Sequence, residues 1–396
     1  MKMKKLNENL YYVGTQNPSL RTFDIIVPTE YGTTYNSYLV KGEKTALIET
    51  THNKFWDIFK KDVEEIMPLE NIDYVIFNHT EPDHSGALEK LLEINPKIKA
   101  VGSMAAIKFL KQITNKEFDS ITVKDGDKLD LGNGIELSFI SAPNLHWADS
   151  MFTYCKAMKT VFTCDFLGCH YCEPTITDEF LTVPDGYWRA FEVYYNCIMG
   201  PFKKFVTAGI EKLNKLDFDT VCPSHGPILR ENISKCMEKY SEWAKPVVIK
   251  NTISVFYVSA YGYTEMMAKA LAKGAADAGC TVEIFDIAAT DLSVISQKLA
   301  TSSAYMFGSP TINKDAVKPV WDVLSMVDPI SNRGKNAFLF GSYGWSGEAV
   351  ANLKARCEGI GLRVSAEPIK ICFKPNDTDI SSLYESGKAF AELIKA

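Results

Sequence analysis

The sequence lacks several features that would place it in a specialised class of protein. No apolar run reaches the roughly 18 residues that span a bilayer, and no apolar segment follows the charged N-terminus. Positive charge is not in excess, since 43 Lys and Arg residues stand against 49 Asp and Glu residues, giving a net charge of −6. We therefore expect a soluble protein that binds neither membranes nor nucleic acid.

Signatures of several common sites are also missing. There is no G-x-x-x-x-G-K-[ST] loop and no nicotinamide-binding G-x-G-x-x-G fingerprint, which argues against an NTPase and against a nicotinamide enzyme. The ten cysteines have no paired spacing except Cys169-x-x-Cys172, which has neither a second C-x-x-C nor a βαβ context. We interpret that pair as structural and the cysteines as the reduced thiols of a cytoplasmic protein.

The predicted secondary structure changes character near residues 246–251. Before this point the pattern is mixed α+β, with short β-rich segments and scattered helices. The predicted hairpins pair 33–40 with 45–49, 128–131 with 135–140, and 152–155 with 160–164, and the predicted helices are 54–66, 104–114, 188–214 and 230–244.

After this point strands and helices alternate, which is typical of βαβ units on a parallel sheet. The predicted strands are 253–258, 281–285, 302–308 and 336–341, and the predicted helices are 264–279, 316–326, 348–360 and 379–394. We expect two domains, residues 1–248 and 252–396, the second a doubly wound parallel sheet of five strands.

Two of the six histidines lie in the segment HTEPDH (79–84), directly after the apolar strand 74–78. The metal-binding side chains of this segment are His79, Glu81, Asp83 and His84. Side chains at a strand exit can converge on one point, whereas a helix would scatter this spacing. A polar surface loop that happens to contain two histidines is the alternative, and it stays open at this point.

Three more candidate ligands also follow predicted strands. His146 lies in a loop after 135–140, Asp165 follows 161–164, and His225 follows another apolar segment. Together with the first segment they make four imidazoles and three carboxylates. Seven such side chains suit two metal ions that share one carboxylate.

This pattern resembles the metallo-β-lactamase superfamily, whose strand-exit motif is His-x-His-x-Asp-His, followed by a lone His, a lone Asp and a final His. The resemblance implies an αββα sandwich for the first domain. The chain departs from the motif at Glu81, where the superfamily has histidine. Imidazole satisfies zinc, whereas a carboxylate makes the ligand set harder and more anionic, which favours iron.

With Glu81 in this place, the pattern is similar to that of the flavodiiron proteins. The resemblance implies one iron on His79, Glu81 and His146, another on Asp83, His84 and His225, and a bridge through Asp165. Family members differ in whether the residue matching His84 ligates.

Two histidines fall outside this set. His170, five residues beyond Asp165, is a candidate donor near the open face of the metals. His52 has no such context, and we expect a surface or hydrogen-bonded histidine.

The second domain begins with a strand, a hydroxyl-rich loop with one glycine, and a helix start. Together these predict an anion site, because backbone N–H groups and the helix dipole face the loop. The loop contains no lysine or arginine, so a monophosphate fits better than a triphosphate. The residues expected at the phosphate are Ser259, Tyr261, Gly262, Tyr263 and Thr264.

Two later loops, 308–313 and 341–347, also follow strands, and in a doubly wound sheet all three loops meet at the carboxyl edge. This set resembles flavodoxin and implies bound FMN, although a doubly wound domain without a cofactor is the alternative. The residues expected beside the ring are Ser309, Pro310, Thr311, Asn313, Ser342, Tyr343, Gly344, Trp345 and Gly347.

A flavin and two irons on one chain form an electron path. The resemblance covers about residues 2–395 and implies an oxidoreductase that reduces O2 to water, NO to N2O, or both. It further implies a head-to-tail homodimer or a dimer of dimers. No rubredoxin module is present, so we expect electrons from a separate donor, either a rubredoxin-like protein or a reduced deazaflavin.

Two other functions remain open from the sequence. One is a zinc hydrolase of the lactamase or glyoxalase type tethered to a flavodoxin. The other is a flavin-linked redox sensor without catalysis. Metal analysis separates the first from the oxidoreductase, and steady consumption of O2 or NO separates the second.

Overall fold

The structure, a computed structural model, describes residues 4–395. The chain divides into two compact units, the first ending at Lys245 and the second beginning at Pro246. Within residues 4–395, no helix is both long enough and apolar enough to cross a membrane.

The first unit is built on two sheets. Its strands are β1 (Lys4–Lys5), β2 (Leu10–Tyr12), β3 (Thr15–Asn17), β4 (Thr22–Phe23), β5 (Val27–Pro28), β6 (Thr33–Tyr35), β7 (Tyr38–Lys41), β8 (Thr45–Ile48), β9 (Tyr74–Phe77), β10 (Lys99–Gly102), β11 (Ser120–Thr122), β12 (Lys128–Asp130), β13 (Glu136–Ser141), β14 (Met151–Cys155), β15 (Thr160–Cys164) and β16 (Thr220–Pro223). The larger sheet has the order β1-β2-β7-β8-β9-β10-β11 and the smaller sheet the order β12-β13-β14-β15-β16. Two short pairs, β3 with β6 and β4 with β5, lie outside them.

Seven α-helices belong to the described part of this unit. They are α1 (Trp56–Glu64), α2 (Pro82–Ser85), α3 (Leu88–Ile94), α4 (Met104–Thr114), α5 (Pro184–Tyr194), α6 (Lys203–Leu213) and α7 (Ile233–Trp243). Apolar side chains of both sheets, such as Ile76 and Phe162, form a core between them. Helices α1, α3 and α4 pack on the outer face of the larger sheet, and α5, α6 and α7 on that of the smaller sheet. The predicted αββα sandwich is confirmed.

Strand β9, which leads to the histidine-rich segment, lies deep in this sandwich. It pairs in parallel with β8 and β10, and all four of its residues, Tyr74–Phe77, are buried. A strand covered on both faces requires a continuous apolar run, which is what the sequence has here. Its carboxyl end therefore opens at a fixed place on the edge of the sheet.

Two predicted elements of the first unit are wrong. The segment 33–40 is not one strand, because β6 pairs with β3 and only β7 pairs with β8. The predicted helix 188–214 breaks at a π-helical turn (Tyr195–Met199) and a 3-10 turn (Gly200–Phe202) before α6 begins. Pro201 lies in the second turn, where it removes a helical N–H donor.

The second unit is a doubly wound parallel sheet. The strands of the sheet are β17 (Ile249–Tyr257), β18 (Thr281–Asp286), β19 (Ser302–Gly308), β22 (Asn336–Tyr343), β23 (Arg363–Val364) and β24 (Ile369–Cys372), and β20 (Thr311–Ile312) and β21 (Asp315–Ala316) form a separate pair. The helices of the unit are α8 (Tyr263–Asp277), α9 (Leu292–Thr301), α10 (Lys318–Ser325), α11 (Ala349–Gly359) and α12 (Asp377–Lys395). The order is β18-β17-β19-β22, followed by β23 and β24, which pair with opposite ends of β22. Six strands therefore fill five positions, in the order 2-1-3-4-5 of flavodoxin-like sheets.

Helices cover both faces of this sheet. One face carries α8 and α12, and the other carries α9, α10 and α11. Helices α8 and α12 approach backbone to backbone at two glycines. A Cβ on Gly274 would lie 1.9 Å from the carbonyl oxygen of Tyr384, and a Cβ on Gly387 would lie 2.0 Å from that of Leu271. No side chain fits at either position.

Candidate metal centre and flavin site

The seven predicted metal ligands come together at one edge of the first unit. The segment 79–84 follows β9 of the larger sheet, whereas His146, Asp165 and His225 follow β13, β15 and β16 of the smaller sheet. Their ligand atoms fall into two groups, in each of which the atoms lie within 4.8 Å of one another.

The first group contains His79, Glu81, His146 and Asp165. The Nε2 atoms of His79 and His146 lie 3.1 and 3.2 Å from Oε2 of Glu81. The same two nitrogens lie 3.6 and 3.2 Å from Oδ2 of Asp165. Two imidazoles and two carboxylates therefore point at one small volume.

The second group contains Asp83, His84 and His225. The Nε2 atoms of His84 and His225 lie 3.4 and 3.1 Å from the two carboxylate oxygens of Asp83. The Oδ1 atom of Asp165 lies 3.3 and 3.5 Å from those same nitrogens. Asp165 thus presents one oxygen to each group, which is the arrangement that a bridging ligand of two cations requires.

These donor atoms are otherwise unpartnered, which tests whether a metal pair fits. Both carboxylate oxygens of Asp83 and of Asp165, and Nε2 of His84, are buried without a hydrogen-bond partner among residues 4–395. Unpartnered buried carboxylates are costly unless a cation neutralises them. The residues present therefore fit two metal ions, with a donor set of imidazole and carboxylate.

The electrostatics of the site point the same way. Burial would lower the pKa of His79, but the carboxylates of Asp149 and Glu81 raise it to about 10. Burial would raise the pKa of Asp165, but His84 and His146 hold it well below its usual range. The site therefore stabilises positive charge at the imidazole Nε2 positions, which a metal ion takes over by displacing protons.

Two supporting residues were not predicted. Asp149 is wholly buried, with Oδ1 3.4 Å from Nδ1 of His79, and it accepts a hydrogen bond from the Thr80 hydroxyl (2.8 Å). On the other side, Nδ1 of His225 lies 2.5 Å from the carbonyl oxygen of Thr34, to which it donates. Such partners fix the tautomer and leave Nε2 free for metal. No local pattern in the sequence marks either residue.

Two residues directly after β8, Glu49 and Thr50, hold the two ends of the segment 79–84 by hydrogen bonds. The Asn78 N–H donates to Oε1 of the buried Glu49 (2.8 Å), just before the segment begins. At its other end, the backbone N–H and the hydroxyl of Thr50 both donate to the carbonyl oxygen of His84 (2.8 and 2.5 Å). Burial raises the pKa of Glu49 to about 8. We call Glu49 and Thr50 the β8 clamp.

A hairpin formed by β4 and β5 lies next to the second group. Phe23 packs against His170 and His225, with ring centroids 4.2 and 5.3 Å apart. Burial, and then the carboxylates of Glu81 and Asp83, raise the pKa of the adjacent Asp24 to about 6. Asp24 was not among the predicted site residues, because nothing in its sequence context marks it.

The predicted donor His170 also lies here. It is buried, its Nδ1 is 2.9 Å from the Thr33 hydroxyl, and its Nε2 has no partner among the described residues. Burial, together with the neighbouring His225, holds its pKa well below the usual range, so the ring is neutral. His52 instead accepts a hydrogen bond from the Lys54 N–H (3.1 Å), as expected of a histidine without a metal role.

The three predicted flavin loops follow β17, β19 and β22, which are adjacent and parallel in the second unit. Their carboxyl ends therefore lie side by side. Thr264, in the first turn of α8, shares a hydrogen bond with Ser342 of the third loop (2.8 Å, both buried). Helix α8 begins after Gly262, which has φ +81° and open space around it. An anion can thus approach the N-terminus of a long helix.

The side chains around this edge differ in whether they are exposed to a ligand or already engaged in hydrogen bonds within the protein. Tyr261 and Trp345 are 85% and 87% exposed, which is unusual for large aromatic rings and suits stacking on a planar ligand. Ser259 already accepts from the Glu265 N–H (3.2 Å) and Ser309 from the Val317 N–H (3.0 Å). Thr311 accepts a weak bond from Ala349 N–H (3.4 Å).

Four further predicted positions, Asn313, Tyr343, Gly344 and Gly347, shape the loops themselves. Asn313, with φ +53°, lies in the turn between β20 and β21. The Tyr343 ring lies under the amine of Lys370 (5.6 Å) and beside Gly347, where a Cβ would approach within 3.0 Å. At Gly344, a Cβ would lie 2.7 Å from the Phe373 ring. The exposed aromatic rings and the open helix terminus fit a flavin mononucleotide.

Comparison with known families agrees with this description. Residues 33–226 match the model of the ODP family beta lactamase, and residues 255–387 match that of flavodoxin. Fold and site together define a protein in which one chain carries a binuclear metal domain of the lactamase type and a flavodoxin domain.

Relatives that match over nearly the whole chain identify the family. Flavo-diiron protein FprA2 of Clostridium acetobutylicum is 43% identical, with 98% of this chain and 99% of the relative covered. Type A flavoprotein fprA of Rhodobacter capsulatus is 34% identical, with 97% and 89% covered. Among solved structures, rubredoxin oxygen:oxidoreductase of Desulfovibrio gigas matches with a TM-score of 0.69 and 29% identity, over 100% of this chain and 99% of that one. The chain belongs to the flavodiiron proteins.

Proposed function

We propose that the protein is a flavodiiron oxidoreductase that reduces O2 to water, NO to N2O, or both. The observation that carries this proposal is the Asp165 carboxylate, whose two oxygens face two separate groups of imidazole and carboxylate donors. A hydrolytic zinc site of the same fold has histidine in place of Glu81, so the extra carboxylate favours iron.

In this proposal the metal ligands divide as the two groups do. One iron would be held by His79, Glu81 and His146 and the second by Asp83, His84 and His225, and Asp165 would offer one carboxylate oxygen to each. Asp149 and the Thr34 carbonyl orient His79 and His225 through their Nδ1 atoms. The β8 clamp sets where the segment 79–84 stands.

The flavin is FMN, held at the carboxyl edge of the second unit. Ser259, Tyr261, Gly262, Tyr263 and Thr264, at the start of α8, would hold its phosphate. The other two loops would hold its ring, and the exposed Trp345 would supply an apolar face. The positions assigned to the ring are Ser309, Pro310, Thr311, Asn313, Ser342, Tyr343, Gly344, Trp345 and Gly347.

When bound, FMN supplies single electrons and the two irons supply coordination sites for a diatomic gas. The chain itself positions the ligands, excludes bulk water and handles protons. The Thr33 hydroxyl and Nδ1 of His170 share a hydrogen bond (2.9 Å). This leaves Nε2 of the neutral His170 ring, which has no partner among the described residues, available for a hydrogen bond beside the second group.

Metal analysis and gas consumption test this function together. We expect two irons and one FMN per chain, and steady consumption of O2 or NO by the reduced protein. Stoichiometric zinc with hydrolytic activity would support the hydrolase instead. Iron and flavin without gas consumption would support the sensor. An Asp165→Asn variant is expected to lose both irons and keep FMN, which separates the metal site from the flavin site.

We also propose an external electron donor of the rubredoxin type, with a reduced deazaflavin as the other candidate, and a cytoplasmic location. The name of the Desulfovibrio gigas relative, rubredoxin oxygen:oxidoreductase, indicates a rubredoxin donor for that protein. All ten cysteines are unpaired, as expected in a reducing compartment. Stopped-flow reoxidation of each reduced donor by the protein distinguishes the two candidates.

A head-to-tail homodimer, alone or as a dimer of dimers, completes the proposal. Apolar side chains are exposed beside the metal site (Ile25, 93%; Ile26, 82%) and at the flavin loops (Trp345, 87%), where a second copy would cover them. The test mixes chains that lack metal (Asp165→Asn) with chains that cannot bind FMN. Mixed dimers regain activity if electrons cross between chains, and regain none if each chain works alone.

A further inference from the structure

Four oxidisable rings lie between the metal site and the protein surface, two of them on consecutive residues of the chain. Tyr194 packs against His170 and the metal-site residue His225, with ring centroids 4.8 and 6.2 Å apart. Tyr195 is the next residue in the chain, and its ring lies 4.8 Å from Tyr240 and 5.0 Å from Trp243. We call Tyr194, Tyr195, Tyr240 and Trp243 the aromatic series.

The tyrosines of this series have buried hydroxyl groups without hydrogen-bond partners in the described part of the chain. The hydroxyls of Tyr194 and Tyr195 are buried and have no hydrogen-bond partner among residues 4–395. A buried unpartnered polar group costs about 1–3 kcal/mol, so phenylalanine would pack at these positions with less penalty. Such groups call for an explanation, and a redox role is one of the few available. A phenol can lose one electron under conditions that leave a phenyl ring unchanged.

The local backbone places the first two rings on different sides. Helix α5 ends at Tyr194, and a π-helical turn begins at Tyr195. Tyr194 faces the metal site, whereas Tyr195 faces α7, which carries Tyr240 and Trp243. π-Helical turns are rare and occur frequently at functional sites.

We propose that the aromatic series carries oxidising equivalents away from the metal centre when O2 arrives and donor electrons are short. The proposal rests on the proposed reduction of O2. One electron moves from the indole of Trp243 through Tyr240, Tyr195 and Tyr194 to the oxidised metal site, which is thereby reduced by one electron. The indole N–H proton goes to solvent, and a thiol reductant in solution returns the electron and the proton to the tryptophan.

The end of the series at Trp243 follows from its surroundings. The tyrosines are buried, with no acceptor for the phenol proton, so they serve only as transit points. Trp243 is partly exposed, so water can take its proton. The amine of Lys239 lies 5.2 Å from the Trp243 ring centroid, and this positive charge favours loss of the indole proton once the ring is oxidised.

The chain contains an internal control for random surface oxidation. Trp188 is also partly exposed and also lies under lysine amines, at 3.9 Å from Lys235 and 5.4 Å from Lys239. Its ring contacts are Tyr187 and Phe191 (4.9 and 5.8 Å), neither of which belongs to the series. Oxidants from solution should therefore attack both tryptophans, whereas the series should oxidise Trp243 alone.

The experiment exposes the iron- and FMN-loaded protein to repeated cycles of limiting reductant and O2. Peptide mass spectrometry then measures oxygen adducts on Trp243 and Trp188, with O2 consumption recorded in parallel. We expect adducts on Trp243 to exceed those on Trp188 several-fold. In Tyr195→Phe this excess should disappear, with unchanged Tm and O2 consumption. In Trp243→Phe, oxidation products should instead accumulate on Tyr195 and Tyr240.

Each outcome bears on the proposal. Equal labelling of the two tryptophans, or a Trp243 excess that survives in Tyr195→Phe, would overturn it even though O2 is consumed. If the loaded protein consumes no O2, the proposed function fails instead. Iron-free protein taken through the same cycles should show no Trp243 excess, and an excess there would assign the oxidation to the flavin and also overturn the proposal.

Discussion

Asp149 gives the sharpest test of how the metal centre is held. Its carboxylate touches His79 but none of the other proposed ligands, so Asp149→Asn changes the support of one ligand and leaves the ligand set intact. The amide keeps the size of the side chain and can still accept from the Thr80 hydroxyl. It loses the negative charge that holds the His79 Nδ1–H and makes Nε2 a strong donor.

The expected loss can be estimated from similar support elsewhere. Removing such a partner typically weakens metal binding about 10- to 100-fold, which corresponds to about 1.4–2.8 kcal/mol. Because the carboxylate is wholly buried, solvent does not screen this interaction, and we expect a value in the upper part of that range. Iron affinity would be measured by competition with a coloured chelator, and FMN content by absorbance.

The matched control is Asp119→Asn, which removes an exposed carboxylate whose side chain has no partner among residues 4–395. We expect the control to bind iron as the unaltered protein does, and Asp149→Asn to keep its FMN and its circular dichroism spectrum. Iron affinity of Asp149→Asn within twofold of the control would refute the assigned role. Loss of the folded spectrum would show that Asp149 acts on folding, and iron affinity would then be compared in Thr80→Val, which weakens the same support from outside.

Three further predictions concern the two sites and the second unit. Glu81→His should shift the metal preference towards zinc and abolish gas reduction, as measured by metal analysis after growth with both metals; two irons and full turnover would contradict the role given to Glu81. Trp345→Ala should weaken FMN binding about 2- to 10-fold, the value of one aromatic contact, as measured by quenching of flavin fluorescence, and Trp321→Phe serves as the control. Gly387→Ala should destabilise the second unit by about 1–3 kcal/mol, because its Cβ would meet the Leu271 carbonyl, whereas Gly359→Ala, where nothing lies within 4 Å, should have far less effect on thermal unfolding.

The predicted metal ligands are brought together because each follows a strand. Strands β13, β15 and β16 run in the same direction in the smaller sheet, so their exits lie at one edge, and residue type and strand position were enough to select His146, Asp165 and His225. Asp149, Thr34 and Glu49 could not be selected in this way. Their roles depend on contacts with residues 29 to 191 positions away in the chain, and no spacing pattern encodes such contacts.

The fold was predictable where one periodicity governed a whole element. Helix α4 was predicted with its observed bounds, and strand β9 with one extra residue, Asn78. Both predictions succeeded because the apolar patterns of these elements are unbroken. Helix α9 was missed because only Ile295 and Leu299 are buried, which leaves little pattern to detect. The break after α5 was missed because its apolar pattern continues through Tyr195 and Met199, although the backbone there is no longer α-helical.

The β8 clamp has a consequence for how the metal centre fails. The stretch that supplies four of the seven ligands is tied at both ends to the neighbouring strand, so its members cannot leave one by one. Loss of both Glu49 and Thr50, neither of which is itself a ligand, would release the whole stretch at once. The centre is therefore lost as a unit, and a half-empty state should be short-lived.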